Sequence, residues 1–262
     1  RATRFPDEPA TAGEPDPSGD WSLGMDVGAL RDLVHYWAED FDWPAQEDAL
    51  AALPRFVTNV DGLDIHLVHA RAVATDRPAL PLVLSHGWPD SFWRYSKVIP
   101  LLTDPGSHGA DPADAFDVIV PDMPGFGYSQ ISPRPLDSIA VAGLWATLMS
   151  RLGYERFGAA GGDIGSHVSR YLALDHPDRV VAVHRMDGGL PSPLLDPAEL
   201  SEQERRWVAG AASWSAAEGG YAAMHRTKPQ TAAAGLMDSP SGLAAWIVEK
   251  LRAWSDGDDL ER

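Results

Sequence analysis

The chain has 262 residues, of which 44% are hydrophobic and 23% charged, a composition that predicts a globular protein able to bury a core. Its formal net charge of −17 argues against nucleic acid or an anionic membrane surface as a partner. The absence of cysteine excludes disulfides and thiolate metal sites, and no apolar run approaches the roughly 18 residues that a membrane-spanning helix needs.

Residues 1–54 form the first predicted region, a meander followed by two helices. Residues 1–19 are rich in Pro, Asp and Gly, which is typical of an extended meander. Asp26 is a predicted N-cap for a helix whose apolar side chains recur three and four residues apart. Pro44 is predicted to begin a second, short helix.

Residues 55–189 are predicted to form an α/β region. Two runs that alternate around Asp61 and Gly62 predict a hairpin. Strands and helices then follow in turn, an order that predicts a mostly parallel sheet with right-handed crossovers. The predicted strands are Leu82–Leu84, Phe116–Val120, Phe157–Ala160 and Arg179–Val183. The predicted helices are one containing Trp93, Val98 and Leu101, one at Ser138–Leu152 and one at Ser166–Asp175.

Residues 190–262 are predicted to form a helical cap. Pro-rich sequence leads into the cap from Gly188, which indicates an exit from the α/β region. The predicted cap helices are Glu199–Ala217, Tyr221–Arg226 and Leu243–Trp254.

The segment Gly161–Gly165 has the spacing of a nucleophile elbow, Gly-x-nucleophile-x-Gly, with Asp163 at its centre. A sharp turn from strand to helix holds the central residue in strained backbone angles and lifts its side chain clear of the sheet. An aspartate in that position can attack carbon and form an ester, which favours electrophiles such as epoxides and alkyl halides. The same residues also fit an ordinary turn in which Asp163 is a helix N-cap.

Two further loops follow predicted strands at the edge of the sheet where ligands bind in open parallel sheets. Ser85–Pro89 contains His86-Gly87-Trp88-Pro89 and comes after a buried apolar run. Asp122–Ser129 contains Pro124, Gly125 and Gly127, which predict a tight, irregular loop.

These motifs, in this order, resemble those of the epoxide hydrolases of the α/β-hydrolase superfamily, and most of all the microsomal-type branch. Further resemblance lies in Thr227–Thr231, Asp238–Pro240, Gly242–Ile247 and Glu249–Lys250, so that it extends from about Trp21 to Asp256. The resemblance implies an α/β-hydrolase core with a helical cap. It also implies conversion of epoxides to vicinal diols through a covalent Asp ester, without metal or organic cofactor.

The resemblance assigns roles to individual residues. Asp163 is the expected nucleophile, and the backbone N–H groups near Trp88 and at Ile164 are the expected oxyanion donors. His86 and Pro89 are expected in the same oxyanion and substrate site. Tyr221 resembles the first of two cap tyrosines that donate a hydrogen bond to the epoxide oxygen, and it also fits a packing tyrosine on a helix.

The catalytic histidine, its acidic partner and the second cap tyrosine of the family all lie C-terminal to the cap, and none of the nine histidines here follows it. His167, one helical turn after Asp163, is interpreted as a packed or surface residue. We therefore expect a fragment of a longer protein that lacks the C-terminal part of the core, with turnover in doubt. A small apolar epoxide and water are the expected partners. A homodimer stays open, and a cytoplasmic location is expected.

Three alternatives remain. A haloalkane or haloacid dehalogenase also uses an aspartate elbow, but its halide-holding Trp typically follows the nucleophile, where Ile164 stands here. A serine esterase lacks support because no Ser occupies the elbow centre. The third alternative is a non-catalytic fragment or binding protein on the same fold.

Overall fold

The structure is a computed structural model that describes residues 21–73, 77–189, 191–192, 196 and 198–256. The chain divides into two compact units. The α/β unit is Pro44–Leu190, and the helical unit combines Arg1–Trp43 with Pro191–Arg262. The meander predicted for residues 1–19 lies outside the described residues.

Within the described residues, the α/β unit contains one sheet of six strands in the order β1-β2-β4-β3-β5-β6. Strands β1, β2 and β4 pair antiparallel, whereas β4, β3, β5 and β6 run parallel. The predicted hairpin and the mostly parallel sheet are therefore confirmed. The strands are β1 (Arg55–Val60), β2 (Leu63–Ala70), β3 (Leu80–Ser85), β4 (Phe116–Pro121), β5 (Phe157–Gly161) and β6 (Val180–Arg185).

One face of the sheet packs against two long helices, α4 (Ser138–Arg151) and α5 (Ile164–Asp175). The apolar face of α4 centres on Trp145, which is fully buried and donates its indole N–H to Ser85 Oγ at 3.1 Å. Burial of large apolar side chains is the main stabilising term in such a layer. This packing fixes the C-terminal end of β3, where the His86 loop begins.

The opposite face is covered by shorter elements. The helix predicted around Trp93 and Leu101 is wrong as a continuous element, because the chain forms a 3₁₀ turn at Phe92–Tyr95 and a separate helix α3 at Ile99–Thr103. Pro100 lies in the first turn of α3, where its missing N–H is tolerated, but it could not continue a helix from upstream. Two further 3₁₀ turns follow, at Pro105–His108 and Pro112–Asp114.

An open apolar groove of about 610 Å³ lies on this second face, along β3, β5 and β6. Its lining includes Leu82, Leu102 and Val183, and Val183 is 46% exposed. Parallel strands are normally covered on both faces, so this surface is unusually open for a sheet of this class.

Helix α1 (Val27–Glu39) begins as predicted, with Asp26 Oδ1 accepting the Ala29 N–H at 2.7 Å. Helix α2 is Trp43–Ala51. The remaining helices are α6 (Glu202–Glu218), α7 (Gly220–Thr227), α8 (Pro229–Asp238) and α9 (Pro240–Ala253). Helix α8 was not predicted, since prolines at its start and just beyond its end are typical of loops as well as of helix boundaries. A reciprocal capping box between Ser201 and Glu204 begins α6.

Across residues 21–256, as far as they are described, no helix has the length and apolar character required to cross a membrane.

Candidate active site

Asp163 lies at the junction between β5 and α5 with φ +54° and ψ −128°. This backbone region is rarely populated by residues other than glycine and costs about 1–3 kcal/mol. Gly165 makes the turn possible, because a Cβ there would lie 2.6 Å from the His86 carbonyl oxygen and nearer still to that of Ser85. The predicted elbow geometry is therefore present, with an aspartate held in the strained position.

The Asp163 side chain is not a helix cap. It makes no capping hydrogen bond to α5. The residue is solvent-exposed, and its Oδ1 accepts the backbone N–H of Trp88 at 2.9 Å. The ordinary N-cap interpretation of this residue is therefore wrong, and the carboxylate lies against the His86 loop.

Gly87 allows this close approach between the two loops. A Cβ at position 87 would lie 2.6 Å from Asp163 Cγ and nearer still to Asp163 Cβ and Oδ1. In the sequence, Gly87 stands out only as part of the His86–Pro89 motif. Its role needs a contact across 76 positions of sequence, which no local pattern reveals.

The second expected oxyanion donor is Ile164, the first residue of α5. Backbone N–H groups in the first turn of a helix have no acceptor inside that helix, so they are available to an anion. Pro89 follows Trp88 through a cis peptide bond. The structure thus brings His86, Trp88, Pro89, Asp163 and Ile164 together at one end of the sheet.

His86 is fully buried and uses both ring nitrogens. Nδ1 lies 3.0 Å from the Gly87 carbonyl oxygen, and Nε2 accepts the Met123 N–H at 3.1 Å. Burial, the largest cause, lowers the pKa of His86, although the Gly87 carbonyl and the Asp122 carboxylate oppose that change. The buried imidazole is therefore neutral near pH 7.

Asp122 is a fully buried carboxylate whose role could not be predicted from the sequence. Its Oδ1 accepts the Phe92 N–H at 2.8 Å, and its Oδ2 accepts the Tyr128 N–H at 3.1 Å and bonds His66 Nδ1 at 2.9 Å. One carboxylate thus joins three segments around the site. The loop sequence predicted an irregular turn but carried no signal for this network.

Asp90 and Arg94 form an ion pair beside the site, with Arg94 Nε 3.0 Å from Asp90 Oδ2. Burial raises the pKa of Asp90 despite the hydrogen bond from the Ser91 N–H and the charge of Arg94. The charge of Asp163 contributes to the same upward direction. These groups are close enough to the elbow for their charges to interact with it.

Tyr221 lies in helix α7 of the helical unit. Its ring packs 5.1 Å from that of Trp254 and 5.7 Å from that of His225. Lys250 Nζ lies 5.9 Å from the Tyr221 ring centroid and 3.0 Å from Glu218 Oε2. The ring of Tyr221 therefore packs against aromatic neighbours within the helical unit, and these contacts leave the role of its hydroxyl group undecided.

Two family models match the chain. One described as alpha/beta hydrolase fold matches residues 81–217, and one described as Epoxide hydrolase N terminus matches residues 1–95. The first covers more than half of the chain. The chain therefore belongs to the α/β-hydrolase fold family, and within it to the epoxide hydrolases.

Individual relatives agree with this placement. A protein of Stigmatella aurantiaca provisionally named an epoxide hydrolase is 41% identical over 97% of this chain and 56% of its own length. Epoxide hydrolase 1 of Oryctolagus cuniculus is 36% identical over 91% of this chain and 57% of its own length. The chain thus spans little more than half the length of these relatives.

Solved structures give the same result. The juvenile hormone epoxide hydrolase of the silkworm Bombyx mori matches with a TM-score of 0.81 and 30% identity, covering 95% of this chain and 62% of that one. The epoxide hydrolase of Aspergillus niger matches with a TM-score of 0.78 and 30% identity, and the match covers 95% of this chain and 66% of that one. The resemblance inferred from the motifs is confirmed.

Proposed function

We propose that Asp163 is the nucleophile of a protein that converts small apolar epoxides into vicinal diols. The observation that carries this proposal is the placement of the Asp163 carboxylate. It stands at a strained elbow, is not used as a helix cap, and accepts the Trp88 N–H through one oxygen. A carboxylate in this position can attack carbon through its other oxygen.

In the first step, an Asp163 oxygen bonds to an epoxide carbon and the ring C–O bond breaks. The electron pair goes to the former ring oxygen, which takes a proton and leaves a hydroxyalkyl ester on Asp163. Tyr221 is the proposed proton donor to that oxygen, by its resemblance to the family's cap tyrosine. Relief of ring strain supplies driving force for this step.

In the second step, water attacks the ester carbonyl carbon and gives up a proton. The tetrahedral intermediate then collapses, the bond from that carbon to the alkyl oxygen breaks, the diol leaves with a proton on that oxygen, and the Asp163 carboxylate is restored. The oxygen that accepts the Trp88 N–H becomes the carbonyl oxygen of the ester, and it gains negative charge in the tetrahedral intermediate. The N–H groups of Trp88 and Ile164 are proposed to stabilise that charge. One such donor is worth about 10²–10³ in rate. The base that activates the water is not assigned to any of the nine histidines.

The covalent ester on Asp163 is the intermediate that tests this proposal. Incubation with styrene oxide followed by intact-mass measurement is expected to show a mass gain of one epoxide, and peptide mapping should assign it to Asp163. Asp163→Ala should abolish the adduct. Asp175→Ala, which removes an exposed carboxylate at the other end of α5, is the matched control and should keep it.

An adduct that persists in Asp163→Ala, or neither adduct nor diol from the unaltered chain, would refute the proposal. A parallel incubation with 1-chlorohexane tests the dehalogenase alternative, because that chemistry releases chloride. Chloride release that depends on Asp163, without an epoxide adduct, would favour the dehalogenase.

A further inference from the structure

The two hydrogen bonds of His86 fix where its ring proton lies. The partner of Nδ1 is the Gly87 carbonyl oxygen, which can only accept, so Nδ1 carries a proton. The partner of Nε2 is the Met123 N–H, which can only donate, so Nε2 offers a lone pair. Both partners are backbone groups with fixed polarity, so only the neutral tautomer protonated at Nδ1 satisfies both.

The Gly87 carbonyl belongs to the same peptide unit as the Trp88 N–H. A trans peptide is a rigid plane in which C=O and N–H point in opposite directions. His86 holds one end of this plane at 3.0 Å, and Asp163 Oδ1 accepts from the other end at 2.9 Å. Rotation of the plane would break both bonds together.

His86 is itself held in place by the Asp122 loop. The Met123 N–H is the closest partner of Nε2, since Asp122 Oδ1 lies 3.5 Å away and already accepts the Phe92 N–H at 2.8 Å. The bonds from Asp122 to Tyr128 and His66 anchor that loop to the rest of the α/β unit.

We propose that His86 is a positioning residue of this site. Its Nδ1–H orients the Gly87–Trp88 peptide, so that the Trp88 N–H points at the carboxylate that reacts. His86 does not touch the substrate and does not exchange a proton with it. This inference rests on the proposed function of Asp163 and extends it to the residue that aligns the oxyanion donor.

Two variants separate the roles of the two ring nitrogens. His86→Asn places an amide N–H near the position of Nδ1 and loses the acceptor for Met123. His86→Gln places a polar group near Nε2 and loses the donor to Gly87. Both remove a buried imidazole and leave a comparable void, so a purely structural role predicts similar losses in the two variants.

The readout is the rate at which styrene oxide forms the adduct on the purified chain, followed by intact mass. We expect His86→Asn to stay within about threefold of the unaltered chain. We expect His86→Gln to react about 10- to 100-fold more slowly, because small misplacements of reacting groups cost about that much. Equal losses in the two variants, or no loss in either, would overturn the proposal.

A second measurement needs no variant. Nitrogen-15 NMR of the unaltered chain should show a protonated Nδ1 and an unprotonated Nε2 for His86 at pH 7. A proton on Nε2, with Nδ1 either bare or also protonated, would overturn the proposal even where a variant does not fold. If the unaltered chain forms neither adduct nor diol from styrene oxide, the proposed function of Asp163 fails, and this NMR result still decides the tautomer.

Discussion

Replacing Gly87 by alanine tests the contact on which the candidate site depends. The new methyl would lie 2.6 Å from Asp163 Cγ, whereas ordinary contact begins at 3.4 Å. Rotation of the Asp163 side chain cannot relieve the overlap, because Asp163 Cβ is nearer still to the methyl and its place is set by the backbone. The His86 loop and the elbow must therefore separate by about 1 Å.

Two consequences can be estimated. Overpacking of this kind costs about 1–3 kcal/mol of stability, and each kcal/mol lowers the melting temperature of a domain of this size by about 2–4 °C. Separation by about 1 Å breaks the 2.9 Å hydrogen bond from Trp88 to Asp163 and should slow adduct formation by about 100-fold.

The assay combines intact-mass kinetics with styrene oxide and thermal unfolding followed by circular dichroism. Gly143→Ala is the matched control, because Gly143 is exposed in the middle of α4 and an added Cβ meets nothing within 4 Å. That control should keep the adduct rate, and its free energy of unfolding should rise by about 0.4–1 kcal/mol. An unchanged adduct rate in a folded Gly87→Ala variant would show that the close approach to Asp163 is not needed.

Three further predictions concern strain, protonation and the open groove. Asp163→Gly should abolish the adduct yet raise the free energy of unfolding by about 1 kcal/mol, because glycine accepts φ +54° without strain; a loss of stability in urea denaturation would contradict this. Burial lowers the pKa of His86 below the ordinary histidine value of 6.5, so that, as the pH falls, the unfolded chain binds this proton before the folded chain does. The contribution of His86 to stability is therefore present above pH 6.5 and declines below it, by at most about 1.4 kcal/mol per pH unit. Urea denaturation between pH 7.5 and 5.5 should show that the free energy of unfolding falls less steeply with decreasing pH in His86→Asn than in the unaltered chain. Identical slopes in the two proteins would refute the lowered pKa of His86. The apolar groove should bind anilinonaphthalene sulfonate, and Val183→Lys in its lining should reduce the fluorescence more than Val181→Lys on the same strand. An equal loss of fluorescence in the two variants would show that the dye does not bind in this groove.

Local sequence predicted the parts of this fold that depend on local physics. The spacing of apolar residues and the cap at Asp26 located α1, and the glycine-flanked Asp163 located the elbow. The continuous helix predicted around Trp93 was wrong. Apolar residues in that region recur at helical spacing, but Pro100 divides the segment. Periodicity reports which side chains are buried, whereas the missing N–H of one proline decides whether the helix continues.

The site was predicted less completely, since its geometry comes from contacts between distant segments. Gly87 meets Asp163, and His86 receives the Met123 N–H across 37 positions. The sequence marked His86 as part of a motif but could not show which nitrogen carries the proton. That assignment needs both hydrogen-bond partners, and both are backbone atoms without a sequence signature.

The site combines one strained residue with a surrounding network of satisfied backbone groups. Asp163 occupies a conformation that costs free energy, and the Trp88 N–H that donates to it belongs to a peptide whose carbonyl oxygen contacts the buried His86. Preorganised donors stabilise developing charge because they need not reorient during the reaction. Under the proposed function of Asp163, a flexible His86 loop would carry that reorientation cost in every reaction. The burial of His86 and Asp122 then serves the preorganisation of the site as well as the packing of the sheet.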